Sequence, residues 1–144
     1  MLYFDTSFLV PLILPEATSD EIAAFVRRLP AEEFTISHWT RVEFSSLIAR
    51  EVRIGGLDVQ AAARAHARFE AMVDESFFVL LPNADDFTLA KRFLGQFETG
   101  LRAGDALHLA VASNHRAAVI YSLDKTLLNA GQLLDLPVSM GIGK

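Results

Sequence analysis

Residues 1–15, MLYFDTSFLVPLILP, contain the passage from strand to helix that decides the fold. The apolar run Leu2–Phe4 is typical of a short buried strand, and Asp5 stands at its carboxyl end. The residues that follow, Thr6–Leu14, predict a short apolar helix that closes near Pro15. A strand that passes directly into a helix is the repeating unit of α/β chains.

Beyond this segment, short β-like runs alternate with longer helical patterns, which predicts an α/β domain with a mainly parallel sheet. Further strands are predicted at Phe34–Ile36, Phe77–Leu81 and Val119–Tyr121, with a short edge strand at Pro137–Ser139. The other predicted helices cover about 18–28, 37–53, 58–75, 83–97 and 104–114, and a last one begins near 124. Since no repeat, linker or low-complexity tract interrupts the pattern, a single domain over 1–144 is expected.

The composition excludes several classes of protein. Because the chain has no cysteine, a disulfide scaffold, a thiolate zinc site and a thiol nucleophile are ruled out. A net charge of −5 offers no general attraction to nucleic acid, so any such contact depends on local charge. The longest apolar stretch, Phe8–Leu14, is too short to span a bilayer, and no basic region of a signal peptide precedes it. We therefore expect a cytoplasmic protein without membrane contact.

The hydrophobic content is high for a soluble monomer. Hydrophobic residues make up 51% of the chain, and the mean hydropathy is +0.29. We interpret this excess as an apolar surface that is covered by a partner or a second copy. A dense core is the alternative interpretation.

Two acidic residues stand at the carboxyl ends of predicted strands. Asp5 follows Leu2–Phe4, and Asp124 comes shortly after Val119–Tyr121. In an open parallel sheet, ligands bind in the crevice beyond these strand ends, so both acids are candidate site residues. An aspartate at such a junction is equally well explained as a helix N-cap, and that alternative stays open for each.

Two further acids lie within predicted helices. Glu43 stands one turn after Trp39 and one turn before Leu47, so it projects near an apolar stripe, where a lone carboxylate is costly to bury. Asp105 stands one turn before Leu109 on the next-to-last helix. Its alternative role is that of a first-turn acid that complements the helix dipole.

Carboxylates that converge on one place repel one another unless a cation neutralises them. Ligands that are all oxygen suit Mg²⁺ or Mn²⁺, whereas zinc is disfavoured because the four histidines show no paired ligand spacing. Such a centre supports hydrolysis of phosphodiesters, since the metal lowers the pKa of a bound water and orients the phosphate. His108 lies one turn after Asp105 and is interpreted as a packed histidine, with a contact behind the metal ligands as the alternative.

These residues resemble the PIN domain family, and more narrowly the VapC-type toxins of toxin–antitoxin pairs. The resemblance rests on Asp5-Thr6-Ser7 after the first strand, Glu43 within TRVEFSSLIAR, Asp105 within LRAGDALHLAVAS and Asp124 within VIYSLDKTL. It covers essentially the whole chain, and the four acids follow the order and spacing of the family.

The resemblance implies a three-layer α/β/α fold with a central, mainly parallel sheet of four to five strands. It implies a Mg²⁺- or Mn²⁺-dependent endoribonuclease that cuts RNA, is inhibited by a cognate antitoxin and forms a homodimer. The residues that carry over as metal ligands or near-ligands are Asp5, Glu43, Asp105 and Asp124. Ser7 and Ser122 carry over as supporting hydroxyls, although Ser122 replaces the threonine that is common at its position.

The resemblance also suggests where partners bind. Because a groove near the early helices receives the antitoxin in the family, part of Phe8–Leu14 and the helix that holds Trp39 are expected to be covered by a partner. Core packing of this segment is the alternative. Arg102, three residues before Asp105, is a candidate phosphate contact. A solvated helix face is expected for Arg64, His66 and Arg68.

Other functions fit the sequence less well. A response-regulator receiver domain needs an acid after the third strand, which here ends in Leu81-Pro82-Asn83. A haloacid-dehalogenase-type phosphatase needs an acid where this chain has Ser7. Two alternatives stay open: a PIN-like scaffold that does not cut, and a related nuclease that acts on another nucleic acid.

Overall fold

The structure is a computed structural model that describes residues 1–143. Its sheet has five parallel strands: β1 (Leu2–Phe4), β2 (Phe34–Ser37), β3 (Phe78–Leu80), β4 (Val119–Tyr121) and β5 (Val138–Ser139). The described residues form seven α-helices: α1 (Thr6–Ile13), α2 (Ser19–Val26), α3 (His38–Arg53), α4 (Val59–Ser76), α5 (Ala84–Leu94), α6 (Ala103–Asn114) and α7 (Lys125–Leu133). The predicted α/β class and parallel sheet are confirmed.

The strand order creates a reversal point next to β1. The order is β3-β2-β1-β4-β5, so the chain first moves from β1 towards β3 and then returns to the other side of β1. Ligands bind at such reversal points in open parallel sheets, beyond the carboxyl ends of the strands. The register pairs Phe4 with Tyr121. Asp5 and Ser122, which follow these two residues, therefore lie next to each other at the ends of neighbouring strands.

Helices cover both faces of the sheet. Because side chains alternate along a strand, Leu2 and Phe4 enter one core while Tyr3 enters the other. The first core contains side chains of α1 to α4, and the second contains side chains of α5 to α7. Crossovers between parallel strands are almost always right-handed, so the reversal of direction moves the later helices to the opposite face.

The predicted boundaries of most elements differ from the observed ones by one or two residues, and the largest departure follows α5. The helix predicted to reach about 97 ends at Leu94, with Gly95 as its C-cap, and a separate 3-10 turn forms at Phe97–Thr99. Gly100 then adopts a left-handed φ of 67°, which favours glycine. A second 3-10 turn at Ala31–Glu33 was not predicted.

The first helix lies mostly in the core, which favours the core-packing alternative for most of Phe8–Leu14, while a partner on the remaining part stays a prediction. Its buried side chains, each at most 5% exposed, are Phe8, Leu9, Val10 and Ile13. Within Phe8–Leu14, only Leu12 and Leu14 are half-buried. The helix contacts α2, α3 and α4 as well as packing in the core, so it needs more than one apolar stripe. Core packing therefore accounts for most of this segment.

The remaining hydrophobic excess lies elsewhere on the surface. The exposed large hydrophobic side chains are Val42, Ile54, Val59, Phe78, Leu81, Phe87, Phe97 and Leu133. Within residues 1–143, no helix combines the length and the apolar character that a membrane span requires.

The face of α4 that carries Arg64, His66 and Arg68 was expected to be solvated, but two of these side chains also contact the protein. Arg68 donates hydrogen bonds to the backbone oxygens of Ile13 (2.9 Å) and Leu12 (3.4 Å) at the end of α1. The ring of His66 meets the ring of Phe44 edge-on at 5.8 Å. Carbonyls at a helix end have no partner within the helix, so Arg68 satisfies groups that the fold would otherwise leave unbonded.

Candidate active site

Asp5 begins α1 and is held through both of its carboxylate oxygens. Oδ1 accepts hydrogen bonds from Ser7 Oγ (2.8 Å) and the backbone N–H of Phe8 (3.2 Å), and Oδ2 accepts one from Ser122 Oγ (2.8 Å). Burial raises the pKa of Asp5, against the opposing effects of the His108 charge and the two hydroxyls. Asp5 is thus a helix N-cap, and it is also a fixed, 3% exposed carboxylate at the reversal point.

The two serines also fix the loop that carries Asp124. Their hydroxyl oxygens lie 3.3 Å apart. Ser7 Oγ accepts from the backbone N–H of Leu123 (2.9 Å), and Ser122 Oγ accepts from the backbone N–H of Asp124 (3.0 Å). A short hydrogen-bonded chain therefore ties the end of β4 to the start of α1.

Asp124 is the N-cap of α7, where its Oδ1 accepts from the backbone N–H of Leu127 at 3.1 Å. Asp105 lies in the first turn of α6 and is half-buried. Burial, together with the charges of Asp124, Asp5 and Glu43, raises the pKa of Asp105 to about 6, against the opposing charge of His108. The ionised form of Asp105 is therefore disfavoured by three other acids.

Glu43 projects from α3 towards the same place. Its Oε1 accepts a hydrogen bond from Thr6 Oγ1 (2.6 Å) and is also paired with His108 Nε2. Burial alone would raise the pKa of Glu43, but the hydrogen bond and the charge of His108 outweigh it and bring that pKa below its usual range. Glu43 is thus a stabilised carboxylate, whereas Asp105 is a destabilised one.

His108 is 1% exposed and bonded at both ring nitrogens. Tyr3 donates its single hydroxyl proton to Ser37 Oγ (3.1 Å), so its oxygen accepts from His108 Nδ1 (2.8 Å). Nε2 donates to Glu43, so both nitrogens act as donors. Burial lowers the pKa of His108. The hydrogen bond and the charge of Glu43 raise it by more than burial lowers it, so the pKa lies above its usual value.

The sequence favoured packing for His108, with a contact behind the metal ligands as the alternative, and gave no role to Tyr3 or Thr6. The histidine is indeed buried, but it is bonded to Glu43 across 65 positions of the chain. A signal was present, because His108 shares a helix face with Asp105 and Thr6 directly follows Asp5. The contact between Tyr3 and His108 could not be read from spacing, since it joins a strand to a helix of the second core.

The absence of a side chain at Gly104 leaves room for the carboxylate of Glu43. A Cβ at this position would stand 2.8 Å from Glu43 Oε2 and 3.4 Å from Trp39 Nε1. Within residues 1–143, Trp39 Nε1 is buried without a hydrogen-bond partner of normal geometry. Its nearness to Glu43 nevertheless contributes to lowering the pKa of that carboxyl.

The four acids line one cavity of about 220 Å³. The remaining lining residues are Thr6, Ser7, Val10 and Leu47. As placed in residues 1–143, however, no three or more histidine or acidic side chains form a ready-made metal-binding group. Asp5 is instead hydrogen-bonded to two serines, and Glu43 is hydrogen-bonded to His108 and Thr6.

The chemistry of this set fits a hard divalent cation. The ligand atoms available in the cavity are carboxylate and hydroxyl oxygens, which Mg²⁺ and Mn²⁺ prefer. The pKa of Asp105 is raised chiefly by burial and also by the charges of the neighbouring acids, and a bound cation would favour its ionised form.

The basic residues near the acids differ in their availability. Arg41 is engaged by Glu70, with Nη2 to Oε2 at 3.0 Å and Nε to Oε1 at 3.3 Å. Arg102 is exposed at the start of α6 and forms no salt bridge within residues 1–143. Only Arg102 of these two is therefore free to meet an anion near Asp105.

The PIN domain family model matches residues 2–133 of the chain. The chain belongs to the PIN domain family. The PIN domain fold expected from the sequence resemblance, with its three layers and parallel sheet, is confirmed. A search of the curated proteins by sequence finds no match.

Solved structures resemble this PIN domain over nearly its whole length. FitAcB from Neisseria gonorrhoeae superposes with a TM-score of 0.77 at 18% identity, covering 98% of both chains. Mycobacterium tuberculosis VapC20, described as a Sarcin-Ricin loop cleaving toxin, gives 0.71 at 23% identity, covering 91% of this chain and 95% of its own. PAE2754 from Pyrobaculum aerophilum gives 0.60 at 28% identity, covering 90% of this chain and 84% of its own.

Proposed function

We propose that this PIN domain is a divalent-metal-dependent endoribonuclease and acts as the toxin of a toxin–antitoxin pair. The observation that carries the proposal is the cavity in which Asp105 faces Asp5, Glu43 and Asp124. Such a surplus of carboxylates is stable only when a cation is bound or a proton is taken up. Likeness to VapC20, a toxin described as cleaving the Sarcin-Ricin loop, supports RNA as the substrate class.

Asp5, Asp105 and Asp124 would hold the metal, with Glu43 as a further ligand or near-ligand. A bound Mg²⁺ or Mn²⁺ would lower the pKa of a water and polarise the scissile phosphate. The protein's own task is to hold the carboxylates in place. Ser7 and Ser122 fix Asp5 by donating to both of its oxygens, and these hydrogen bonds oppose the rise that burial causes in its pKa.

The substrate must approach an acidic cavity, although both carry negative charge. Neutralisation of the carboxylates by the metal removes most of the repulsion that a phosphate would meet. Arg102, exposed three residues before Asp105 in the chain, is suited to contact a phosphate next to the scissile one. Val10 and Leu47 give the cavity an apolar side against which the sugar or base can lie.

We also propose a cognate antitoxin and a second copy of the chain as partners. The exposed hydrophobic side chains, which include Val42 and Ile54 on or next to α3, support an interaction surface. A short neighbouring gene with a DNA-binding amino terminus would identify the antitoxin. Its coexpression is expected to relieve growth arrest caused by the chain alone.

The activity is tested with the purified full chain, total RNA and single-stranded DNA as a matched polyanion. RNA cleavage is expected with Mg²⁺ or Mn²⁺, to stop with EDTA and to return when metal is added in excess. Mapping of the new RNA ends would then define the target. Asp105→Asn serves as the inactive control, because it keeps the shape of the side chain.

Each result points to one function. Full cleavage in EDTA would contradict the metal mechanism, and cleavage of DNA alone would favour the related nuclease. A folded protein that binds metal but cuts neither substrate would favour the scaffold that does not cut.

A further inference from the structure

Glu43 differs from the other acids of the cavity because one of its oxygens is committed to the protein. Oε1 receives a hydrogen bond from Thr6 Oγ1 at 2.6 Å and one from His108 Nε2. Thr6 Oγ1 and His108 Nε2 are themselves 3.4 Å apart, so the side chains of Thr6, Glu43 and His108 contact one another in a triangle. The carboxylate cannot turn without breaking both bonds.

His108 is held in turn from the side away from the cavity. Tyr3 accepts from Nδ1 at 2.8 Å and donates to Ser37 Oγ at 3.1 Å. Tyr3 and Ser37 are both 0% exposed, and the ring of Tyr3 packs edge-on against the imidazole at 5.8 Å. The imidazole therefore has a fixed plane and a fixed direction of its Nε2–H bond.

From this arrangement we propose that His108 is a positioning residue, which, with Thr6 and backed by Tyr3, fixes the orientation of the Glu43 carboxylate in the cavity. The orientation of Glu43 is argued from the contacts alone, and the proposal rests on the proposed function for its consequences in metal binding and RNA cleavage. Residues that orient ligands of a metal site typically contribute about tenfold to a hundredfold to metal affinity or activity.

A purely structural role is the alternative interpretation. A buried hydrogen-bonded network can stabilise the fold without any effect on the site. The two roles differ in one respect: a positioning role depends on which atom donates to Glu43, whereas a packing role depends on the volume and burial of the side chain.

Two matched pairs of variants separate these roles. Thr6→Val removes the hydroxyl at nearly constant volume, and Thr6→Ser keeps the hydroxyl while losing the methyl group. His108→Leu removes both ring donors, and His108→Gln keeps an N–H that can reach Glu43. Tyr3→Phe, which leaves both bonds to Glu43 in place, tests the backing of the imidazole.

For each full-length variant we would measure thermal unfolding, Mn²⁺ affinity by calorimetry, and kcat and KM on a labelled pool of random oligoribonucleotides. Thr6→Val and His108→Leu are expected to lose about tenfold or more in kcat or Mn²⁺ affinity, with KM nearly unchanged. Thr6→Ser and His108→Gln are expected to recover most of the loss. Tyr3→Phe is expected to give a smaller loss of the same kind.

The outcomes distinguish this proposal from the proposed function. If folded Thr6→Val and His108→Leu keep the wild-type kcat and Mn²⁺ affinity, the positioning role is overturned while the nuclease stands. If the losses follow thermal stability and not the presence of the donor, the role is structural and the proposal is overturned. If the wild-type chain cuts no RNA but the Mn²⁺ affinities follow the predicted order, the positioning role stands and the nuclease assignment fails.

Discussion

Ser122 Oγ donates a hydrogen bond of 2.8 Å to Asp5 Oδ2, although 117 positions of the chain separate the two residues. The contact follows from the sheet, because β1 and β4 are neighbours and the residues that follow these strands lie next to each other. It links the two strand ends between which the chain reverses its direction. The candidate site therefore depends on the strand order as much as on the acids themselves.

Ser122→Ala is expected to weaken both the fold and the site. The buried Asp5 carboxylate would lose one of its three donors, and a hydrogen bond to a charged group contributes about 2 kcal/mol. The pKa of Asp5 would rise further, since the Ser122 hydroxyl now lowers it. Chemical denaturation and Mn²⁺ titration measure the two effects.

Ser122→Thr is the matched control for this change, because it keeps the hydroxyl. It should retain Mn²⁺ affinity close to that of the wild type. Equal loss of affinity in both variants would show that the hydroxyl is not what supports Asp5.

Asp105→Asn is expected to flatten the pH dependence of stability in the metal-free protein. Burial and the neighbouring acids raise the pKa of Asp105 from 3.8 to about 6. Between these two pH values the folded state therefore keeps a proton on Asp105 that the unfolded state has released. The contribution of Asp105 is therefore most favourable at pH below 3.8, and it falls as the pH rises from there to about 6. Urea unfolding at a series of pH values should show this fall in the wild type and less of it in the variant.

A bound metal ion should favour the ionised form of Asp105, which burial and the neighbouring acids disfavour. Mn²⁺ is expected to stabilise the wild type at neutral pH, because it binds the folded state only. The gain should be much smaller in Asp105→Asn. A variant that Mn²⁺ stabilises as much as the wild type would exclude Asp105 from the metal site.

Gly104→Ala is expected to reduce RNA cleavage without loss of stability. The new Cβ would lie 2.8 Å from Glu43 Oε2, so the carboxylate must move and strain its bonds to Thr6 and His108. Alanine is favoured over glycine within helices by about 1 kcal/mol, which offsets the local clash. A lower kcat with an unchanged or higher melting temperature is the expected result; full activity would mean that the orientation of Glu43 is not critical.

Arg102→Ala is expected to raise KM for RNA about tenfold with little change in kcat, since it would remove a phosphate contact worth about 1.4 kcal/mol. Arg41→Ala is the control, because Arg41 is paired with Glu70 and not free to bind RNA. That pair is about 40% exposed on each side, so its loss should cost at most about 1 kcal/mol. Similar effects of both variants on KM would indicate a general charge effect.

Much of the fold was predictable from the alternation of short apolar runs and helical patterns. The run Leu2–Phe4 followed by Asp5 marks the first strand and the helix after it, since the pattern is local. The sequence could not decide between core packing and a partner surface for Phe8–Leu14, because the number of neighbours that cover a helix depends on the whole fold and not on its own sequence. Here three other helices contact it.

The candidate site was predictable in its acids but not in their partners. Parallel strands bring Asp5 and Asp124 to the same edge of the sheet, and the helical positions of Glu43 and Asp105 suggested inward-facing carboxylates. The bond between His108 and Glu43 depends on how α3 and α6 approach each other, which no sequence pattern records. Whether a carboxylate is stabilised, as in Glu43, or destabilised, as in Asp105, follows from such contacts.

One divalent metal site formed by carboxylates distant in the chain is the basis of the proposed function. Its most direct test is anomalous diffraction at the manganese edge from crystals of the full chain soaked in Mn²⁺. A peak in the cavity between Asp5, Asp105 and Asp124, absent from crystals of Asp105→Asn, is the result we predict. Well-ordered carboxylates with no anomalous peak between them, or a peak only at another place on the molecule, would contradict it.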